Sequence, residues 1–286
     1  MFLSFIFKRT MFRIDRLRSV SANVAALVSA GIGGSFLYDY LSRKNLEKIS
    51  TAFTNWDEEW DRYVRVSPEL QQDIKDWFIA PDYEIVKKRE EFDSDNQIGI
   101  RDIIMVRHGQ YGSDGSLTSI GNDQADVTAK RLLDILSDKK VRCIFHSSLP
   151  RAKETAIRIS KSFPQAEIVE TSLLNEAVPA PPDPPSHACP EYIPEEGDRI
   201  EKAFRTFFSR PLGDSSNCES VDILVGHGNC FRYFLCRALQ IDPRFWLRMA
   251  IYNCGVSWVE LDHDGRVSVR AVGDTGHMPR EKLTYT

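Results

Sequence analysis

The stretch Ile103-Ile104-Met105-Val106-Arg107-His108-Gly109 decides how this chain is read. Four uncharged apolar residues in a row read as a buried strand. The run closes on an arginine, a histidine and a glycine. Open α/β sheets build their sites at the carboxyl ends of strands. A histidine beside an arginine at such an end is what phosphoryl transfer through histidine requires. Alone, the tripeptide reads as well as a solvated basic turn. Two further segments give it company. Ser147-Ser148-Leu149-Pro150-Arg151 follows the apolar run 141–146, and Gly226-His227-Gly228 follows the run 221–225.

Around these runs the chain alternates. Strands are expected over 101–106, 141–146, 166–170 and 221–225. Between them lie helical stripes: Ala125, Ala129, Leu132, Leu133 and Leu136; Ala152, Ala156, Ile159 and Phe163; Ile200, Ala203, Phe204, Phe207 and Phe208; Phe231, Phe234, Leu235 and Ala238. Spacings of three and four put each set on one helix face. Residues 255–261 and 266–272, joined by Asp264-Gly265, read as a hairpin. The expected fold is α/β, with a mostly parallel sheet flanked by helices, over residues 98–286.

The chain before that domain differs in kind. Residues 1–19 carry Lys8, Arg9, Arg13, Arg16 and Arg18 against Asp15, a net charge of +4. Residues 19–38 are 20 residues without a charge. As a helix they would rise about 30 Å, enough to cross a bilayer. The basic leader and the uncharged span together predict a mitochondrial address with a single-pass N-terminal membrane anchor over 1–45, and a cleaved mitochondrial presequence is the competing reading. Residues 46–97 then form a charged linker. It contains Trp56-Asp57-Glu58-Glu59-Trp60-Asp61, whose two indoles would share a helix face. Such a pair either caps the chain's own domain or contacts another subunit. The second reading makes Trp56, Asp57, Trp60 and Asp61 an assembly motif of a homo-oligomer, with the arm docked near the proline-dense loop 179–185.

Charge narrows the partners. The net charge of -4 leaves -8 on the chain after its leader. A mildly acidic body argues against nucleic-acid binding. The six cysteines include no C-x-x-C pair, so neither a disulfide framework nor a zinc site is expected.

Five ordered segments carry a resemblance. They are Arg107-His108-Gly109; Leu117-Thr118 with Gly121 and Gln124-Ala125; Ser147-Ser148 with Arg151 and Thr155-Ala156; Leu174 with Glu176; and Gly226-His227-Gly228. Residues 101–286 resemble the histidine phosphatase superfamily, with its phosphoglycerate mutase-like fold. Three more segments resemble its branch of mitochondrial serine/threonine-protein phosphatases: Pro181-Pro182-Asp183-Pro184-Pro185, Cys236-Arg237-Ala238-Leu239-Gln240, and Gly273-Asp274-Thr275-Gly276 with Met278-Pro279. The tryptophan hexapeptide resembles that branch too.

The resemblance implies a phosphatase for phosphoserine and phosphothreonine proteins that needs neither metal nor cofactor. Arg107 and Arg151 offer planar forks that bind phosphate bidentately. Gly109 and Gly228 let backbone approach it. One histidine attacks phosphorus and the other stabilises the equatorial oxygens. The residues leave His108 and His227 nearly symmetric, and the resemblance makes His108 the nucleophile. Neighbouring arginines would lower its pKa. Glu176 would protonate the leaving oxygen, with Asn175 and Glu170 as alternatives. A small-molecule phosphatase or mutase, and a membrane-tethered assembly scaffold, are the competing readings.

Overall fold

A six-stranded mixed sheet in the order β3-β2-β4-β1-β5-β6 organises the chain. The structure, a computed structural model, describes residues 60–61, 79–213 and 215–285. The basic leader, the uncharged span and residues Trp56 and Asp57 lie outside the described residues. Among the described residues no helix is long and apolar enough to cross a membrane.

The strands are β1 (Ile98–Arg107), β2 (Val141–His146), β3 (Glu167–Glu170), β4 (Ser215–Gly226), β5 (Val256–Asp262) and β6 (Val267–Asp274). Four run parallel, while β5 lies antiparallel to β1 and to β6. The sheet is therefore mixed, because the expected hairpin joins it as its last two strands. Residues in β1 alternate between faces. Ile103 and Met105 enter one core with Phe145, Phe204, Phe207 and Phe231. Ile104 and Val106 enter the other with Leu132, Ala156 and Ile223. Burial on both faces explains why β1 reads as a continuous apolar run rather than an alternating one.

The helices are α1 (Tyr83–Asn96), α2 (Ser119–Ile135), α3 (Pro150–Ser160), α4 (Pro194–Phe207) and α5 (Gly228–Ala238). Helices α2 and α3 cover one face of the sheet, α4 and α5 the other. The four stripes are buried as expected except Leu133, which points to solvent beside buried Leu132. Leu133 is one position, about 100° of helix, off the core-facing stripe.

Helix α1 occupies part of the stretch read as linker. Its buried side chains are Val86, Arg89 and Asp93, so charge lines its inner face. Arg89 donates to the carbonyl oxygens of Thr206 and Phe207, satisfying the last turn of α4. Its Nε lies 3.3 Å from Asp222 of β4. Arg101 pairs with Asp93, and Arg142 pairs with Asp222.

Trp60 and Asp61 seat on the chain's own domain. The indole Nε1 donates to the Gly265 oxygen at 2.8 Å, and the ring lies 5.8 Å from that of Phe204. Asp61, 8% exposed, accepts from Arg210 Nε at 2.8 Å. Arg210 Nη1 donates onward to the Asp264 oxygen. The register pairs Ile100 with Asp262 and Val106 with Val256, so the 262–265 turn sits at the amino end of β1. Trp60 thus docks at the end of the sheet opposite Arg107-His108. This differs from the expected docking near the proline loop. The carbonyl of Gly265, a glycine with φ of 82°, is the acceptor that holds the indole there.

Candidate active site

Strand register brings the histidines together. Arg107 stands across from Gly226, and Val225 across from both Val106 and His146. Three strands therefore end at one level. The His108 N–H donates to the Gly226 oxygen at 2.9 Å, and the Ser147 N–H to the Val225 oxygen at 3.0 Å. The two imidazoles that follow have ring centroids 5.0 Å apart.

The glycine after His108 has a steric reason. A Cβ on Gly109 would stand 2.6 Å from the Gly121 oxygen, so loop and helix α2 touch backbone to backbone. The Gly109 N–H is given to Thr155 Oγ1 at 3.1 Å, while Thr118 caps α2 by accepting from the Gly121 N–H. Gly228 opens α5 directly after His227. A Cβ there would stand 3.3 Å from an Arg232 nitrogen and 3.6 Å from Arg107.

Hydrogen bonds assign the tautomers. His108 Nδ1 lies 2.8 Å from the Gly109 carbonyl oxygen, which can only accept. Nδ1 therefore carries the proton. The Nε2 lone pair accepts from Arg151 Nε at 3.1 Å. Ser147 Oγ donates to Asn175 Oδ1 at 2.8 Å. It is left to accept from His227 Nε2 at 2.9 Å, so Nδ1 of His227 is bare, 3.3 Å from Arg151 Nη2. Asn175 also accepts from the Ser148 N–H and hydroxyl, which fixes the turn into α3. A positioning task thus falls to Asn175. Glu170 is turned outward, paired with Lys153.

Glu176 approaches the same nitrogen of His227, its Oε2 3.7 Å from Nδ1. Burial pushes its carboxyl up to about 7, against the pull of Arg107, Arg151 and Arg232. Burial pushes His108 down to about 3, with Arg107 and Arg151 acting in the same direction. Desolvation, more than the neighbouring arginines, keeps that imidazole neutral. His227 is likewise held well below the usual imidazole range by burial, then by His108 and the arginines.

Arg107 Nη1 donates to the oxygens of Ile251 and Tyr285, and its buried Nε has no protein partner. Arg232 Nε and Glu176 Oε1 are buried and unpartnered in the same way. Arg151 lies with its Cζ 4.5 Å from the Tyr111 ring, which also packs edge-on to His108. Arg107, His108, Arg151, Glu176 and His227 therefore cluster at the strand ends, and Arg232 and Tyr111 join them. Arg232 follows Gly228 by four residues, one turn of α5, so helical spacing alone could have marked it. Nothing in the sequence marks Tyr111. From Asn175 and Glu176 a cavity of about 610 Å³ extends over Val178 and Ile193. Among the described residues no group of three or more His, Cys, Asp or Glu side chains is arranged to hold a metal ion.

Comparison with known proteins identifies the family. The family model of the histidine phosphatase superfamily, branch 1, matches residues 103–178 and 179–274. The mitochondrial serine/threonine-protein phosphatase PGAM5 of Xenopus tropicalis is 36% identical over 270 residues, covering 92% of each chain. The human protein of that name is 38% identical over 238 residues, covering 80% of each. A solved phosphoglycerate mutase from Plasmodium falciparum is 42% identical, spans 66% of this chain and 99% of its own, and superposes with a TM-score of 0.49. The family model and the PGAM5 relatives, which span the domain, place the chain in the histidine phosphatase superfamily.

Proposed function

We propose that this chain is a mitochondrial serine/threonine-protein phosphatase that works through a phosphohistidine on His108. The observation that carries the reading is the His108 tautomer. With Nδ1–H bound to the Gly109 oxygen, the Nε2 lone pair faces Arg151, and the His227 ring centroid lies 5.0 Å from that of His108. An imidazole held neutral by burial is a nucleophile at neutral pH.

The steps follow from charge and geometry. The phosphate oxygens enter between Arg107, Arg151 and Arg232, taking the contacts that Arg151 otherwise makes to the imidazoles. His108 Nε2 attacks phosphorus, and the bond to the seryl or threonyl oxygen breaks. Glu176, about half protonated near pH 7, gives that oxygen its proton. A bound dianion favours protonation of His227 Nδ1, whose charge then stabilises the equatorial oxygens. Water next attacks the phosphorus of phosphohistidine and passes a proton to the Glu176 carboxylate. Orthophosphate leaves and His108 is restored.

The relatives' printed names support the substrate class and the mitochondrial location. The finer parts of the reading rest on sequence. Residues 1–45 address the chain to mitochondria and anchor it, with 19–38 as the span, and the Trp56–Asp61 motif contributes to a homo-oligomer. The test is turnover by the full chain in detergent, with EDTA present, of a phosphoserine peptide against 3-phosphoglycerate. Peptide turnover with retained activity is expected. Turnover of 3-phosphoglycerate alone would replace the reading with a small-molecule one.

A further inference from the structure

The cavity beside Glu176 is a candidate substrate surface next to the reacting groups. Asn175 and Glu176 form its inner edge. Glu176 faces the leaving group in the reaction above, so the chain carrying that oxygen must run through this cavity. Its wall is apolar: Val178, 5% exposed, with Pro190 and Ile193. Its volume, about 610 Å³, is enough to admit a side chain.

Its charge is one-sided. Glu191 and Glu196 line it, and residues 191–198 add Glu195 and Asp198 with no basic residue among them. Glu191 makes no ion pair among the described residues. The cavity's cation, Arg199, is committed. It donates to Glu196 Oε2 at 2.8 Å and to the carbonyl oxygens of Ser172 and Leu173. A carboxylate or second phosphate entering here meets carboxylates and a guanidinium already engaged. A lysine or arginine meets unpaired Glu191 at the mouth.

Resting on the protein-phosphatase reading, we propose that this cavity is a side-chain subsite. It selects phosphoproteins that place an aliphatic residue beside the phosphorylated serine or threonine, with a lysine or arginine next to that residue. Val178, Pro190 and Ile193 take the aliphatic side chain, and Glu191 meets the base. The same wall disfavours small phosphorylated acids.

Four phosphoserine peptides test this, with leucine or aspartate in the adjacent position and lysine or glutamate beyond it. The full chain in detergent is used, and each rate is divided by that enzyme's own rate on p-nitrophenyl phosphate. The leucine–lysine peptide is expected to exceed the aspartate–glutamate peptide by about 10-fold or more in kcat/KM, the range that one buried aliphatic contact supports. Glu191→Lys should reverse the lysine-over-glutamate ratio, and Ile193→Asp should abolish the leucine preference. Equal kcat/KM across the four peptides, or an unreversed ratio in Glu191→Lys, overturns the subsite and leaves the phosphatase reading standing. Turnover of p-nitrophenyl phosphate with none of any peptide overturns the phosphatase reading and the subsite together.

Discussion

Arg151 Nε lies 3.1 Å from Nε2 of His108, the nitrogen whose lone pair is free because Nδ1 is bound to the Gly109 carbonyl. The guanidinium thus sits where a phosphate oxygen must come before phosphorus can meet the imidazole. One contact orients the nucleophile in the free enzyme and marks the path of the substrate into it. It also separates two histidines that look alike in sequence. Nε2 of His108 faces the arginine, whereas Nε2 of His227 is tied to Ser147.

The first expectation follows directly. Rapidly quenched enzyme should carry an acid-labile, alkali-stable phosphate, lost in His108→Ala. Activity should fall to background in the same variant. A phosphoenzyme that persists in His108→Ala and vanishes in His227→Ala would reverse the two roles.

Arg151→Ala removes a charge-assisted contact that strengthens in the transition state. It should cost on the order of 10²-fold or more in kcat/KM. Arg151→Lys should recover only part, since an ammonium cannot reproduce the fork that spans both histidines. Arg232→Ala should raise KM for phosphopeptide more than it lowers kcat if it serves binding alone. Steady-state kinetics on one peptide with all three variants decides both points.

The pH profile should be narrow. A phosphoserine becomes a dianion with a pKa of about 6, so kcat/KM rises through that region. Glu176 must be protonated to release the seryl oxygen, and its carboxyl is raised to about 7, so kcat/KM falls above that value. His108, at about 3, adds no limb between pH 5 and 9. Glu176→Gln should lose the falling limb and should slow phosphoserine more than p-nitrophenyl phosphate, whose leaving group needs little protonation. A falling limb retained in Glu176→Gln would assign the acid elsewhere.

The parts of this site legible in the sequence are those that local pattern encodes. Arg107, His108, Arg151 and His227 each follow an apolar run, and a strand end is where such residues converge. Arg232 carries only the mark of its one-turn spacing from Gly228, and that is easily overlooked because it sits mid-helix among Phe231, Tyr233 and Phe234, where a buried arginine looks like an interruption of the core face. Helix α1 was hidden for a related reason. Its inward side chains Arg89 and Asp93 break the apolar period that identifies amphipathic helices. Only the tertiary partners Asp222, Arg101 and the α4 carbonyls make sense of them. The hairpin was legible, but its place beside β1, which turns a mostly parallel sheet into a mixed one, depends on contacts distant in sequence.

That buried network makes a stability prediction. Arg89 and Asp222 are both about 1% exposed and 3.3 Å apart. Arg89→Met strands Asp222 with less countercharge and leaves the last α4 carbonyls without their donor. It should cost about 3–5 kcal/mol. The paired variant Arg89→Met with Asp222→Asn should cost less than the sum of the single changes, which a double-mutant cycle in urea reads directly. Additive losses would show that the two residues act independently.

The tryptophan motif divides at the point where the described residues begin. Trp60 and Asp61 are bound within the chain, by the Gly265 oxygen, the Phe204 ring and Arg210. Asp61 is nearly buried, so Asp61→Ala leaves Arg210 short of its carboxylate and should cost about 1–3 kcal/mol. Trp60→Ala removes ring contact and a hydrogen bond and should lower the Tm in the same way. Trp56 and Asp57, in the proposed assembly, are the half of the motif that meets a neighbouring subunit. Trp56→Ala should therefore reduce the sedimentation coefficient with little change in Tm, while Trp60→Ala should lower Tm at any protein concentration. Analytical ultracentrifugation and thermal melts over a 100-fold concentration range separate the two effects. If Trp60→Ala shrinks the assembly and its Tm converges on wild type as both are diluted, Trp60 is held by a neighbour's Gly265 and Phe204. The intramolecular seat would then fail, and the whole motif would belong to the subunit contact.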